Sequence, residues 1–247
     1  MLNIARKELK SMFASPMGWI ILALLTFSFG TYYLNGVNNY FEVMSGAIRP
    51  AERIGVTQFV GQTVYGLASF IMLFAVPLLS MRLISEERRS QTMPFLFSAP
   101  LSISEIVIGK FLGLVVFLSI LVVYVGAMLS TLNIWADIDF GYIFANSLGL
   151  LLLVSSFAAL GLYFSSLTSQ PIIAGILSFI ALFVLMILDN FFAGDPTSTV
   201  LRFSLMRHFQ SFGGGLIDTA DLAYFALFII AFLTLTIRRL DADRLRG

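Results

Sequence analysis

No cysteine occurs among the 247 residues, which excludes disulfides, thiol nucleophiles and Cys-ligated metals. The one histidine, His208, has no companions at metal-ligand spacing and reads as an interface residue rather than a catalytic one. The chain also lacks the G-x-x-x-x-G-K-[ST] phosphate cradle. Gly109-Lys110 is followed by Phe111, and Ser104 stands where the first glycine would be. Charge is scarce, at 12% of residues against roughly a quarter in soluble domains. The long apolar runs hold almost no ionisable groups, each of which would cost at least ~3 kcal/mol at a bilayer centre and is normally kept for proton or ion pathways. A proton-coupled transporter is therefore disfavoured. The net charge is +1, and the basic residues flank apolar runs instead of forming a patch, so nucleic acid is not an expected partner.

What the chain does have is hydrocarbon: 58% hydrophobic residues and a mean hydropathy of +0.92. Apolar windows of about 20 residues read as transmembrane helices. Six fit, at about 17–34, 58–81, 106–132, 142–166, 171–188 and 222–237. The expectation is a single all-α integral membrane domain over 1–247 with six transmembrane helices.

Residues 1–15 form an amphipathic pattern, with Leu2, Ala5, Leu9, Met12 and Phe13 on one face and Asn3, Arg6, Lys7 and Lys10 on the other. Such a helix lies in the membrane interface. The uncharged run that follows, Met17 to Leu34, exceeds a signal-peptide core and no A-x-A-like site follows it, so it is expected to be retained. Trp19, Tyr32 and Tyr33 suit aromatic belts. Asn35 to Thr57 reads as a polar loop, and Pro77 predicts a kink in the second span. Ser102 and Glu105 have capping-box spacing, with Leu101 and Ile106 as a possible staple. Gly109 and Gly113 form a GxxxG step for close helix contact. Ser155-Ser156 and Ser165-Ser166 read as packing polar residues, since no base accompanies them. Residues 195–215 suit an outer interfacial or re-entrant segment, too short and polar to span.

With both termini inside, the cytoplasmic segments hold 11 lysines and arginines and the outer segments hold 4. The positive-inside rule then places both termini, and the 82–105 loop, in the cytoplasm. That loop is the densest charged stretch. Arg88 and Arg89 follow from the charge bias alone, but Glu86 and Glu87 do not, nor does the apolar Met93-Pro94-Phe95-Leu96-Phe97 that follows. A short helix with a charged start and an apolar face suits docking into the groove of a soluble partner.

The series Ser85-Glu86-Glu87-Arg88-Arg89, Thr92, Ser98-Ala99-Pro100-Leu101-Ser102, Glu105-Ile106 and Gly109-Lys110 resembles the signature of ABC-2 type permeases. His208-Phe209-Gln210-Ser211-Phe212, Gly215-Leu216-Ile217-Asp218, Asp221, Tyr224 and the arginine-bearing tail resemble the end of the gliding-motility and nitrous-oxide-reductase-maturation subgroup. Gln91 departs from that family's usual glycine before the threonine, and Pro94 from its usual acidic residue. The resemblance implies a half-transporter of the type V exporter kind. Its loop would be a coupling helix contacting the ATPase through Glu86, Glu87, Arg88, Arg89, Thr92 and Phe95. Arg6, Lys7 and Lys10 would make a secondary contact or lie in the interface.

The implied partners are two copies of an ATP-binding subunit, a second permease copy or sister permease, and membrane lipids. ATP and Mg would bind the partner, leaving this chain with no cofactor and no catalysis. The implied place is the inner membrane, and the implied activity is ATP-driven transport, in the export direction. Two other readings stand beside it: a secondary transporter or channel, and a membrane anchor for an ATPase in a non-transporting envelope or motility assembly. The 25 phenylalanines would suit an apolar substrate path but equally suit lipid contact.

Overall fold

The structure is a computed structural model and describes residues 1–45, 55–93, 102–191 and 203–246. Its regular elements are helical. They are α1 (Leu2–Ala14), α2 (Pro16–Met44), α3 (Val56–Ser80), α4 (Arg82–Arg89), α5 (Ile103–Ser130), a 3-10 turn (Thr131–Ile134), α6 (Phe140–Leu167), α7 (Pro171–Phe191), α8 (Leu205–Phe212) and α9 (Thr219–Arg246). Five stretches are long and apolar enough to cross a membrane: Pro16–Met44, Val56–Arg89, Ile103–Ile134, Phe140–Leu167 and Thr219–Arg244. The run Pro171–Ile187 is apolar but shorter.

Local sequence explains the helix starts. Pro16 occupies the first turn of α2, where its missing N–H removes no bond. Ser102 and Glu105 form the complete capping box of α5, with Glu105 N–H on Ser102 Oγ at 3.2 Å and Ser102 N–H on Glu105 Oε2 at 3.0 Å. Leu101, the other half of the expected staple, lies outside the described residues. Asp139 caps α6 by accepting from Tyr142 N–H at 3.0 Å. One boundary differs from the sequence reading. Helix α2 continues ten residues past Leu34 to Met44, because Asn35 to Met44 contains no proline and only one glycine to break the ladder.

Helix α6 is the most buried element and the axis of the bundle, with α3, α5, α7 and α9 packed around it. Small residues bring helices close. A Cβ on Gly161 would stand 2.8 Å from Ser80 Cβ of α3, and one on Gly149 would stand 2.7 Å from Phe212 Cγ of α8. By contrast α2 and α9 leave much of their apolar surface exposed, including Phe27, Leu34, Leu227 and Ile230. Membrane helices need no water-excluded interface on that side, since lipid tails are as apolar as leucine.

The bundle has two distinct ends. At one, α8 folds back against α6 and α9, and Tyr33 Oη meets Thr131 Oγ1 at 2.7 Å. At the other, α1, α4, the start of α5 and the end of α9 converge. Every described lysine and arginine except Arg207 belongs to this second end.

The expected kink in the second span takes a specific form. The helix is interrupted at Met81, four residues after Pro77, and resumes as α4. Ser165 of α6 inserts into the ladder there. Its Oγ accepts from Ile84 N–H at 3.1 Å and Ser85 N–H at 3.0 Å, and donates to Met81 O at 2.9 Å. An inserted side chain is one of the recognised causes of a sharp helix bend. Here it also satisfies two buried donors at the start of α4 that no intrahelical carbonyl serves.

Candidate functional site

The charged end is built around α4, whose three stripes have different fates. Arg82, Glu86 and Arg89, spaced i, i+4, i+7, share one exposed stripe. Leu83 and Ile84 are buried. Glu87 and Arg88 follow one turn after them, half-buried, and reach toward opposite neighbours.

Glu87 Oε1 accepts from Lys110 Nζ of α5 at 2.8 Å, and the same ammonium donates to Glu8 Oε1 of α1 at 2.9 Å. The Lys110 side chain is only 3% exposed. A buried ammonium is tolerated when paired and hydrogen-bonded, and two carboxylates supply that. Lys110 thus fastens three helices. Close backbone packing makes the approach possible. A Cβ on Gly109 would stand 2.8 Å from Ile4 Cβ, and one on Gly113 would stand 2.9 Å from Glu8 Cβ. The GxxxG step is therefore the seat of α1.

On the other side of α4, Arg88 pairs with Asp243 near the end of α9, and Arg239 approaches the same carboxylate at 3.6 Å. Successive helix residues point about 100° apart, so Glu87 and Arg88 grip different neighbours at once. The first cluster holds two carboxylates and one ammonium, the second two guanidiniums and one carboxylate. Each is unbalanced by one charge, of opposite sign, and adjacency along α4 neutralises the whole.

The exposed stripe of α4 stands between two clefts. One, of about 240 Å³, is lined by Glu8, Ser11, Met12, Arg82 and Glu86 among others. The other, of about 470 Å³, lies toward α7 and is lined by Arg82, Glu86, Arg89, Ser90 and Ile172. Arg82, Glu86 and Arg89 form no ion pair among the described residues. Beside this ridge Arg6, Lys7 and Lys10 are exposed on α1.

Helix α4 ends in a Schellman motif: Thr92 N–H bonds Glu87 O at 3.0 Å and Gln91 N–H bonds Arg88 O at 3.2 Å. Gln91 sits at φ 56°, the left-handed conformation that favours glycine. The position where the permeases that this stretch resembles usually carry glycine is therefore one where this backbone would favour it. Thr92 is exposed, its hydroxyl 3.0 Å from Ser90 Oγ.

The residues singled out from sequence therefore separate. Glu86, Arg89 and Thr92 are available at the surface, as are Arg6, Lys7 and Lys10. Glu87 and Arg88 are engaged within the chain. Phe95 and the apolar run around it lie outside the described residues. The helix itself begins at Arg82 and ends at Arg89, earlier than a helix from Glu86 to Phe97, because the Ser165 contact starts it and the Schellman turn stops it.

Sequence reasoning missed Glu8, Asp243 and the structural role of Lys110. One signal was present: a lysine beside an apolar run requires a carboxylate if it is buried. Nothing in the sequence says which.

At the opposite end His208 Nδ1 lies 2.6 Å from Asp221 Oδ1, and the imidazole stacks on Tyr224 with ring centres 3.9 Å apart. Tyr224 Oη donates to Phe203 O at 2.7 Å. These contacts tie α8 to α9. No group of three or more histidine or carboxylate side chains is placed to hold a metal ion among the described residues.

The family model described as ABC-2 family transporter protein matches residues 2–209, from the start of α1 into α8. No curated protein matches the chain.

Proposed function

The chain belongs to the ABC-2 transporter family, and from that premise we propose that its charged end is the surface on which a separate ATP-binding subunit acts. The family makes it a multi-pass membrane protein and the permease component of an ABC transporter, not itself the catalytic part. Family members work with an ATP-binding subunit. The finer reading is ours. Two ATPase copies sit beneath two permeases, this chain paired with itself or with a sister. Hydrolysis on the ATPase drives substrate outward across the inner membrane.

The observation that carries the reading is the exposed charged ridge of Arg82, Glu86 and Arg89 between two clefts, with Arg6, Lys7 and Lys10 exposed alongside. Charges of both signs, exposed and without an ion-pair partner among the described residues, are the kind that set specificity and encounter rate with a soluble protein. The contact set is thus Arg82, Glu86, Arg89 and Thr92, with Arg6, Lys7 and Lys10 as a second patch. Glu87 and Arg88 act from within.

Other features support the membrane arrangement. Helix α7 has 21 residues, about 31 Å at 1.5 Å rise, which suffices for a sixth crossing of a hydrocarbon core about 30 Å thick. Helix α1 has 13 residues, too few to cross, and buries none of them fully, as an interfacial helix would. The basic residues gathered at the α4 end favour a cytoplasmic location for it and for both termini. The terminal motif from His208 to Tyr224 favours the gliding-motility and nitrous-oxide-reductase-maturation subgroup.

The test is purification of the tagged complex from its native host, with assays for a co-purifying ATPase and for ATP hydrolysis. Charge reversal at Glu86 and Arg89 together is expected to lose the ATPase while leaving membrane insertion intact. A stable complex without nucleotide-binding partner or hydrolysis would favour a channel or secondary transporter instead.

A further inference from the structure

We propose that Lys110 and Asp243 are positioning residues that clamp α4 to α1 on one side and to the end of α9 on the other, so that the three move as one lever when the ATPase acts. The inference rests on the reading of α4 as the ATPase-facing helix and adds the residues that carry its motion inward. A helix of eight residues cannot transmit displacement by its own stiffness if its ends are free. Its C-terminal end closes in a turn, and its side contacts give force a route into the neighbouring helices. Besides the packing of its buried Leu83 and Ile84, α4 is held by three polar links. Ser165 holds the first turn against α6, Lys110 holds Glu87 against Glu8, and Asp243 holds Arg88.

The connections differ in kind, which gives the arrangement direction. Ser165 grips backbone N–H groups at the helix start, where α3 bends into α4, and so forms a hinge point. The ion pairs lie a turn further along, at Glu87 and Arg88, where a rotation about that hinge displaces atoms most. The Lys110 contact passes the displacement to α5 through a side chain eight residues past the Ser102 cap of that helix, and to α1 through Glu8. The Asp243 contact passes it to α9, whose helix is continuous from Thr219 and which packs on the central helix α6. Motion of α4 would thus reach two spanning helices, α5 and α9, both of which pack on the central helix α6 and on each other. The interfacial helix α1 would travel with them.

The absence of native cysteine allows single-pair spin labelling without background. Labels at Ser90 with Lys7, and at Ser90 with Asp241, all exposed positions, report α4 against α1 and α4 against α9. Distances are read in the native permease–ATPase complex without nucleotide and with ADP trapped by vanadate after hydrolysis. The key variant is the neutral triple substitution Glu8→Gln, Glu87→Gln, Lys110→Met, which leaves no buried charge unpaired and so should fold. Arg88→Met with Asp243→Asn is its counterpart on the other side.

In the unsubstituted complex both distances are expected to stay narrow and equal in the two states. In the triple variant the Ser90–Lys7 distribution broadens. ATP hydrolysis by the intact complex falls about tenfold, within the range typical of coupling between sites, while the ATPase remains bound. A merely structural role would leave hydrolysis unchanged once assembly is retained, whatever happens to the distances. An assembled triple variant with unchanged hydrolysis would overturn this inference alone, as would α4 shifting against α1 or α9 in the unsubstituted complex. Failure of any ATPase to co-purify with the native chain would overturn the reading of α4 and this inference with it.

Discussion

Replacing Lys110 by methionine, which keeps the length of the side chain and removes the ammonium, should release α1. The Lys110 side chain is 3% exposed, and its ammonium holds two carboxylates, Glu8 at 13% and Glu87 at 19% exposure, at 2.9 and 2.8 Å. None of the three is exposed enough for water to screen the loss. Removing one partner of a buried ion pair costs about 3–5 kcal/mol because the remaining charge stays desolvated. Here two carboxylates of like sign would be left facing the same vacated volume. Helix α1 is the element best able to relieve that, since it has no fully buried residue and can lift Glu8 into water. Its amides should therefore exchange faster by roughly 10²- to 4 × 10³-fold, the factor that about 3–5 kcal/mol represents at about 1.4 kcal/mol per decade. Hydrogen exchange in nanodiscs over residues 2–14, compared with α6 as an internal control, measures this. Adding Glu8→Gln and Glu87→Gln to Lys110→Met should restore most of the protection, because neutralising a whole buried cluster costs far less than breaking it. Unchanged α1 exchange in the single variant, or a triple variant worse than the single one, would refute the reasoning.

Gly113→Ala should displace α1 as well, by sterics rather than charge: its Cβ would sit 2.9 Å from Glu8 Cβ and 3.0 Å from Ala5 O, and overpacking of this kind costs about 1–3 kcal/mol. Cross-linking yield between cysteines introduced on α1 and α5 should fall accordingly. Ser165→Ala leaves Ile84 N–H and Ser85 N–H, both in buried residues, without their acceptor, at about 1–3 kcal/mol; faster exchange confined to the start of α4 is the expected signature, and a loss of protection spread evenly over α6 would contradict it. Gln91→Gly should go the other way. Relief of the left-handed strain, about 1–2 kcal/mol, outweighs the added unfolded-chain entropy of glycine, about 0.5–1 kcal/mol, so the Glu87–Thr92 turn should become more protected.

Much of this molecule was legible in its sequence because membrane helices are written in composition. Lipid supplies no partner for backbone groups, so a long uncharged run has little choice but helix, and the runs in this chain announce themselves. Caps were equally local: Ser102 with Glu105, and Pro16 at a helix start, need only their neighbours in sequence. The charged stretch was visible as a departure from an otherwise apolar chain, and its order of residues carried the family resemblance.

Tertiary structure decided which of those charges face outward. Glu86, Glu87, Arg88 and Arg89 are equivalent in a one-dimensional reading, all charged and adjacent. Helical rotation, fixed by burial of Leu83 and Ile84 and by the Ser165 contact, turns Glu86 and Arg89 out and Glu87 and Arg88 in. The partners chosen, Glu8, Lys110, Asp243 and Ser165, lie between 23 and 155 positions away along the chain. No local pattern encodes such distances. Close approach of α1 to α5 at Gly109 and Gly113, and the turn of the chain that returns α9 to the same end, bring them together, because an ammonium that loses water must find its carboxylates wherever the packed helices present them.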